Sequence, residues 1–507
     1  MSHTARGLLP NALSQPQRRA EGPPLLLAAA AFVAVWTVYF GISESGASLH
    51  HDMAEAYAWG IEFQLGYSKH PPFWAWVCGA WFEVFPRTNA SFALLTSLNA
   101  VLGLLGSWKL IGEFATGEKR IAATLLLLVT PFYTFLSFKY NANSVFLSIW
   151  PWAAYAFLRS IAGGGWSAAL AFGLLMGIAA LSKYYVAVLA GSLLAATLVH
   201  PRGWKYLRSP WPYLSVAVAA LVFAPHGWWL VIHDAPPFHY FSGETHRESV
   251  SPLQHAVFTF LGAIAQNAIA FGLVAVVARP TWTGLRERAS ALRSDPRFRV
   301  MAALALGPLL FTVAAAMILQ TKVSPNMTMA TFSLAPLLAI EWLEPEAIQM
   351  RRYAVGLALV VTLGALLVSP LVPVARAWYS QQPMDVEPRQ ELALAATDFW
   401  RATTGASLVY VGGSENYDTA VAFYSGDRPH AFIMLDFQRS FWVTPELLRE
   451  KGLLTVCLAA DALCREAAAR FATPATVTRE ISVSHDFAGH KGARHAFILS
   501  ATPPSGL

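Results

Sequence analysis

The stretch His50-His51-Asp52-Met53-Ala54-Glu55-Ala56-Tyr57-Ala58-Trp59-Gly60-Ile61-Glu62 concentrates acids. At helical spacing Asp52, Glu55, Trp59 and Glu62 share one face. Asp52 also stands near the helix start, where a carboxylate is favoured. Such a carboxylate can take a proton from a hydroxyl or ligate a cation. The plain alternative is an N-cap followed by a solvated acidic stripe. Cations follow in the chain. Lys69 and His70 precede Pro71-Pro72, and a lysine there can hold an anion as a point charge or snorkel toward lipid headgroups. Lys183 and Tyr184 fall in a nearly absent loop between two apolar runs, so the lysine must lie against the packed bundle. Lys139-Tyr140-Asn141-Ala142-Asn143 sets two amides at a helix start, suited to capping or to substrate contact. The loop 232–253 carries His233, Asp234, His239, Glu244, His246 and Arg247, but at no compact zinc-ligand spacing. Lys322 stands at a further turn with Pro325-Asn326.

The elements that position these groups follow from composition. The chain has 507 residues, 55% of them hydrophobic and 13% charged. Soluble domains average about 25% charged residues. A single water-soluble domain, a disordered chain and a nucleic-acid binder with a broad basic face are therefore excluded. Eleven apolar runs centre on 24–41, 91–111, 121–138, 144–160, 167–182, 185–200, 212–231, 254–278, 300–319, 327–343 and 353–374. They predict a polytopic α-helical membrane protein of about 11 spans. The first run is long for a signal-peptide core, so it reads as an uncleaved helix after a cytoplasmic tail, residues 1–22. The run 72–85 is too short to cross and reads as interfacial. With 72–85 on the outer surface, the inner segments hold 18 Lys and Arg. The outer segments before residue 375 hold only Lys69, Arg87, Lys139, Lys183, Arg247 and Lys322. That asymmetry matches the positive-inside bias. It sends every candidate residue above to the outer face.

Residues 378–507 lack a span and alternate short apolar runs with helical stretches. This pattern predicts a soluble α/β domain, placed on the periplasmic side by the odd span count. Residues 23–377 form the membrane domain, with outer interfacial helices at 51–86. Cys457 and Cys464 pair as a strand-to-helix disulfide in an oxidising compartment or remain two buried thiols. Val411-Gly412-Gly413-Ser414 lacks the full dinucleotide fingerprint and reads as a turn. Cations beside an apolar bundle suit a ligand with a phosphate head and a lipid tail. Carboxylates nearby suit deprotonation of an acceptor.

The ordered set Asp52 and Glu55, Lys69 to Phe73, Lys183, Glu244 to Arg247 and Lys322 resembles the GT-C glycosyltransferases of the family 39, protein O-mannosyltransferase type. It is similar in particular to bacterial lipid A aminoarabinose transferases. The resemblance covers nearly the whole chain, and its specificity lies in the order rather than in any one motif. It implies a GT-C membrane domain in the cell inner membrane. It also implies transfer of a sugar from a polyprenyl-phosphate carrier to a lipid, glycan or protein acceptor at the periplasmic face, with inversion. By position, Asp52 is the catalytic carboxylate and general base, supported by Glu55. Lys69 or His70, Lys183, Arg247 and Lys322 surround the carrier phosphate, and Glu244 and His246 line the site. Asn143 and Tyr184 join the substrate-binding set. Asn141 and Asn143 stand where relatives often carry an Asp, which weakens any metal site there; need for a divalent cation stays open. The implied partners are the lipid-linked donor, membrane lipids and the acceptor, with no nucleic acid. The rival from another class is a transporter or flippase of a lipid-linked or small polar substrate. It predicts inverted repeats and midplane charges, and the sequence has neither. A scaffold protein, with an incidental outer polar set, is the third reading.

Overall fold

A computed structural model describes residues 16–245, 251–319, 325–380 and 386–505. Among the described residues, six helices are long and apolar enough to cross a membrane: Pro24–Ser43, Asn89–Ile111, Gly165–Ser182, Trp211–Ile232, Pro296–Leu319 and Ala347–Val368. The pair Leu253–Ala265 and Ala268–Ala278, bent by 54°, passes the same test as a broken span. The protein is a multi-pass membrane protein.

The other four of the eleven apolar runs do not form helices of that length. Run 185–200 becomes a helix over Val186–Val199 only, and run 144–160 a helix over Phe146–Ile161 with Pro151 inside. Run 327–343 splits into a 3-10 segment, Pro325–Phe332, and a helix, Ala335–Leu343. Run 121–138 is helical only at its start, as part of Gly117–Leu127. From there to Val145 the chain runs through turns. Hydropathy cannot tell these cases apart, because an irregular segment buried in protein is as apolar as a helix facing lipid. In this segment hydroxyls satisfy freed carbonyls: Thr130 Oγ1 donates to Leu127 O at 2.8 Å and Ser137 Oγ to Thr134 O at 2.7 Å.

Two short helices lie between the first two long ones, His51–Gly60 and Phe73–Val84. They cross closely. A Cβ on Gly60 would overlap the Ala75 carbonyl, and one on Gly79 would overlap the Gly60 carbonyl. The first helix carries Asp52 and Glu55. Trp59, fully buried, stacks on Tyr67 at 4.7 Å, and burying a ring of that size removes roughly 150–250 Å² from water.

The C-terminal region is a small α/β domain. Its main sheet contains β1 (Tyr410–Gly413), β2 (His430–Phe432), β3 (Leu453–Leu458), β4 (Val477–Val483) and β7 (His495–Thr502), in the order β2-β1-β3-β7-β4. β1 pairs in parallel with β2 and β3, whereas β7 pairs antiparallel with β3 and β4. A two-residue hairpin, β5 (Asp486–Phe487) and β6 (His490–Lys491), stands apart. Of the two readings of the cysteine pair, the disulfide is the one formed: Cys457 on β3 bonds Cys464 on the following helix, Cα atoms 5.6 Å apart.

This domain sits directly on the helix His51–Gly60. Buried Arg389 donates from Nη1 to Leu49 O at 2.8 Å, and Tyr424 Oη accepts from Leu49 N at 2.8 Å. Tyr57 meets Phe423 edge-on at 5.3 Å. Arg87 Nη1 donates to Phe423 O and Ser425 O at 2.8 and 2.9 Å. Glu62, expected to extend the acidic face, lies beyond the helix end and pairs with His430 Nδ1 at 2.8 Å.

Candidate active site

Asp52 occupies the first turn of its helix, with His50 as N-cap; the Asp52 N–H donates to His50 Nδ1 at 3.1 Å. Three side chains reach the carboxylate. His51 Nε2 is 3.0 Å from Oδ1, Lys139 Nζ is 3.1 Å from Oδ2, and Asn141 Nδ2 donates to Oδ2 at 2.9 Å. Burial raises the carboxyl's pKa, but the His51 hydrogen bond and the Lys139 charge outweigh it and hold Asp52 well below the usual carboxylate range. Asp52 is therefore ionised at neutral pH.

The orientation of Asn141 is fixed by its own turn. Its Oδ1 accepts from the N–H of Asn143 at 2.9 Å and of Ser144 at 3.0 Å. An oxygen so committed leaves the NH₂ group to face Asp52. The same turn presents Asn143, whose Oδ1 accepts from Lys183 Nζ at 2.5 Å. Asp52, Asn141, Asn143 and Lys183 thus form a continuous polar chain. The irregular segment before Val145 makes this chain possible, since a regular helix would not offer Lys139, Asn141 and Asn143 to one point.

Lys183 caps the helix Gly165–Ser182 in extended conformation. Among the described residues, no carboxylate lies within ion-pair distance of it. Burial pushes its ammonium down to about 8, opposed by the charge of Asp52. Tyr184 turns the other way, its Oη 2.9 Å from His226 Nε2, and His226 Nδ1 is 2.8 Å from Leu65 O.

Lys69 and His70 differ sharply. Lys69 Nζ lies 2.7 Å from Glu55 Oε1 and 4.0 Å from Glu415 Oε1. Burial disfavours its charge, but Glu55 prevails and raises its pKa. His70 is pushed down to about 3 by burial and by the Lys183 and Lys69 charges, so it is neutral. Glu55 therefore meets Lys69 rather than Asp52. Of the remaining expected residues, the side chain of Glu244 and all of His246, Arg247 and Lys322 lie outside the described residues.

The sequence reading did not single out His51 or Lys139 as partners of Asp52, nor Asn141 as its link to Asn143. The signal for Lys139 and Asn141 was their place in the amide-rich stretch 139–143. Glu415, from the C-terminal domain, carried no local signal. The ligand atoms of His50, His51 and Asp52 also lie within 4.8 Å of one another. Two imidazoles and a carboxylate fit a divalent cation, with Lys139 already against the shared carboxylate.

Comparison with known proteins now has a geometry to meet. Residues 69–229 match the family model described as dolichyl-phosphate-mannose-protein mannosyltransferase. A lipid A galacturonosyltransferase, RgtD of Rhizobium johnstonii, is 28% identical over 185 residues, 36% of this chain. The match spans 38% of that relative's own length. The crystal structure of ArnT from Cupriavidus metallidurans, bound to undecaprenyl phosphate, superposes with a TM-score of 0.61 over 94% of this chain and 98% of ArnT. Sequence identity there is 15%. The fold is shared with ArnT, and with 94% of this chain and 98% of ArnT covered the likeness extends into the C-terminal domain. The family-model match begins at Lys69 and includes Asn141, Asn143, Lys183 and Tyr184, while Asp52 and Glu55 lie before it.

Proposed function

We propose that this protein is a membrane glycosyltransferase that moves a sugar from a polyprenyl-phosphate carrier to an acceptor at the periplasmic face of the inner membrane. Lipid A is the lead acceptor, because the curated relative is a lipid A galacturonosyltransferase. Carrier use follows the ArnT complex with undecaprenyl phosphate. The observation that carries the reading is the amide link between an ionised carboxylate, Asp52, and a half-buried lysine with no carboxylate partner among the described residues, Lys183. The positive-inside bias and the Cys457–Cys464 disulfide support the periplasmic placement.

The chemistry then divides between the two ends of the link. Lys183 receives the carrier phosphate and stabilises the charge it gains as the glycosidic bond breaks. Asp52 accepts the proton of the acceptor hydroxyl as it attacks the anomeric carbon from the opposite side, which inverts that centre. Because the phosphate is a good leaving group, no acid need protonate it. Lys139 and His51 keep Asp52 charged and aimed; the price is a lower basicity than a free carboxylate. His70, being neutral, fills the wall as a polar spacer, and Lys69 braces Glu55. The domain limits follow the same reading: a cytoplasmic tail over 1–22, the catalytic membrane domain over 23–377 and a periplasmic domain over 378–507.

The test is transfer by the purified full chain in lipid nanodiscs, with polyprenyl-phosphate-linked galacturonic acid as donor and lipid A as acceptor, read by mass spectrometry. Glycosylated lipid A with an inverted anomeric linkage is expected. Carrier counterflow without any transfer would instead establish the transporter reading.

A further inference from the structure

An open cavity of about 510 Å³ lies between the C-terminal domain and the outer end of the bundle. Its lining includes Tyr240, Glu415, Asp436, Gln438, Arg439 and Phe441. The position in the sheet matters. Glu415 follows the carboxyl end of β1, and Asp436 to Phe441 follow that of β2. Ligands of open α/β sheets bind outside the carboxyl ends of parallel strands.

The loop after β2 is built firmly. Met434 and Leu435 hold left-handed backbones, φ 53° and 57°, which cost energy for side chains of this size and cluster at functional sites. Buried Asp418 secures the bend, its Oδ2 accepting from Met434 N at 2.7 Å. Ser440 Oγ accepts from Ile433 N at 2.8 Å, and Trp442 Nε1 donates to Ala431 O at 3.0 Å. Arg439 stands 3.5 Å from Asp436 Oδ2. Phe441 packs edge-on against Trp229 and His233, at 5.2 and 4.7 Å.

The cavity is also wired to the reaction centre. Lys69 Nζ is 4.0 Å from Glu415 and 5.7 Å from the ring centroid of Tyr240, and 2.7 Å from Glu55, one helical turn beyond Asp52. Carboxylates and an amide that take hydroxyls, a guanidinium that donates, and ring faces for C–H surfaces together suit a polyhydroxylated sugar. They do not suit an acyl tail. The carrier phosphate has its own cation, Lys183, on the far side of Asp52's amide link.

Resting on the glycosyltransferase reading, we propose that this cavity is the binding subsite for the saccharide headgroup of the acceptor. The C-terminal domain then selects the acceptor, with Arg439 and Asp436 as the specificity-determining pair and Asp418 as a positioning residue beneath the loop.

Two measurements on the full chain in nanodiscs test this. Saturation-transfer NMR with a soluble glucosamine disaccharide should show binding by the wild type and at least tenfold weaker binding by Arg439→Ala and Asp436→Asn. No transfer signal with the wild type overturns the subsite, whatever the enzyme's activity. Steady-state kinetics with lipid A and the galacturonic acid donor should show the lipid A KM raised at least tenfold in both variants, with donor KM and kcat within about twofold. An unchanged acceptor KM overturns the proposal. So does a rise in donor KM alone, which assigns the cavity to the donor sugar. A wild type that binds the disaccharide yet transfers nothing leaves the subsite standing and defeats the transferase reading.

Discussion

The two ends of the membrane bundle handle charge in opposite ways. At the end away from the C-terminal domain, basic residues meet acids directly. Lys119 pairs with Glu341 at 3.0 Å, Arg288 with Glu344 at 3.2 Å and Arg351 with Glu118 at 2.8 Å. These pairs are partly exposed, and each contributes about 0–1 kcal/mol. At the other end the charges are half-buried and linked through amides, and among the described residues the tally is uneven. Asp52 has an ammonium, an imidazole and an amide against it, from Lys139, His51 and Asn141, while among the described residues Lys183 meets an amide and no carboxylate. A matched pair fastens elements together, whereas a half-buried lysine whose partner among the described residues is a neutral amide suits the phosphate role proposed for Lys183.

Replacing Asp52 by Asn should cut this contrast most deeply. Transfer should fall by roughly 10²–10⁴-fold, the worth of general-base help, with insertion and thermal unfolding little changed. A D52N protein of near-normal activity would remove Asp52 from the chemistry. Lys183→Ala comes next. Losing one charge-assisted contact of about 1.5–3 kcal/mol should raise the donor KM roughly 10–100-fold and leave the acceptor KM alone. The same lysine predicts a pH profile. Its charged form binds the phosphate, and its pKa in the empty site is about 8, so kcat/KM for the donor should hold below that pH and decline above it. Lys183→Arg should flatten the decline; a profile identical in K183R would assign the titration elsewhere.

The third contrast is gentler. The Glu62–His430 pair joins the end of the helix that carries Asp52 to β2. The Glu62 hydrogen bond raises the His430 pKa, while burial raises that of Glu62. The His430 contribution is complete below the imidazole's usual 6.5 and fades as pH climbs through its raised value. Glu62 sets the lower edge, where its own raised pKa lets it protonate. The protection factors of the β2 amides, with the intrinsic pH dependence of exchange divided out, should therefore fall on going from pH 6 to pH 9, and His430→Gln should abolish that fall. Glu341→Gln, at the opposite end, should change transfer less than twofold and stability by under about 1 kcal/mol. A loss comparable to that in K183A would erase the distinction between the two ends.

Much of this was legible from residue types. The acid at 52, the lysine at 183 and the α/β tail each announced themselves locally, through helical spacing, a missing loop and alternating apolar runs. The turn-rich segment before Val145 did not. Its Phe, Leu and Tyr residues read as a span because burial in protein and burial in lipid select the same side chains. The link from Asp52 through Asn141 to Lys183 was equally hidden, since it depends on three segments meeting and each amide alone resembles a cap. Lys69 shows how little a local motif says of a partner. Its charge suggested a phosphate ligand, whereas a glutamate 14 residues earlier, Glu55, already holds it. Glu415 reaches that lysine from the far end of the chain, a distance at which no spacing rule operates.

The grip of Arg389 on the carbonyl of Leu49 gives the tail a second duty. Leu49 immediately precedes the capping His50, so a guanidinium contributed some 340 residues downstream helps set where the first turn begins. A truncated protein ending near residue 377 would thus surrender more than a cover. It would lose a contact that fixes where the helix carrying Asp52 begins.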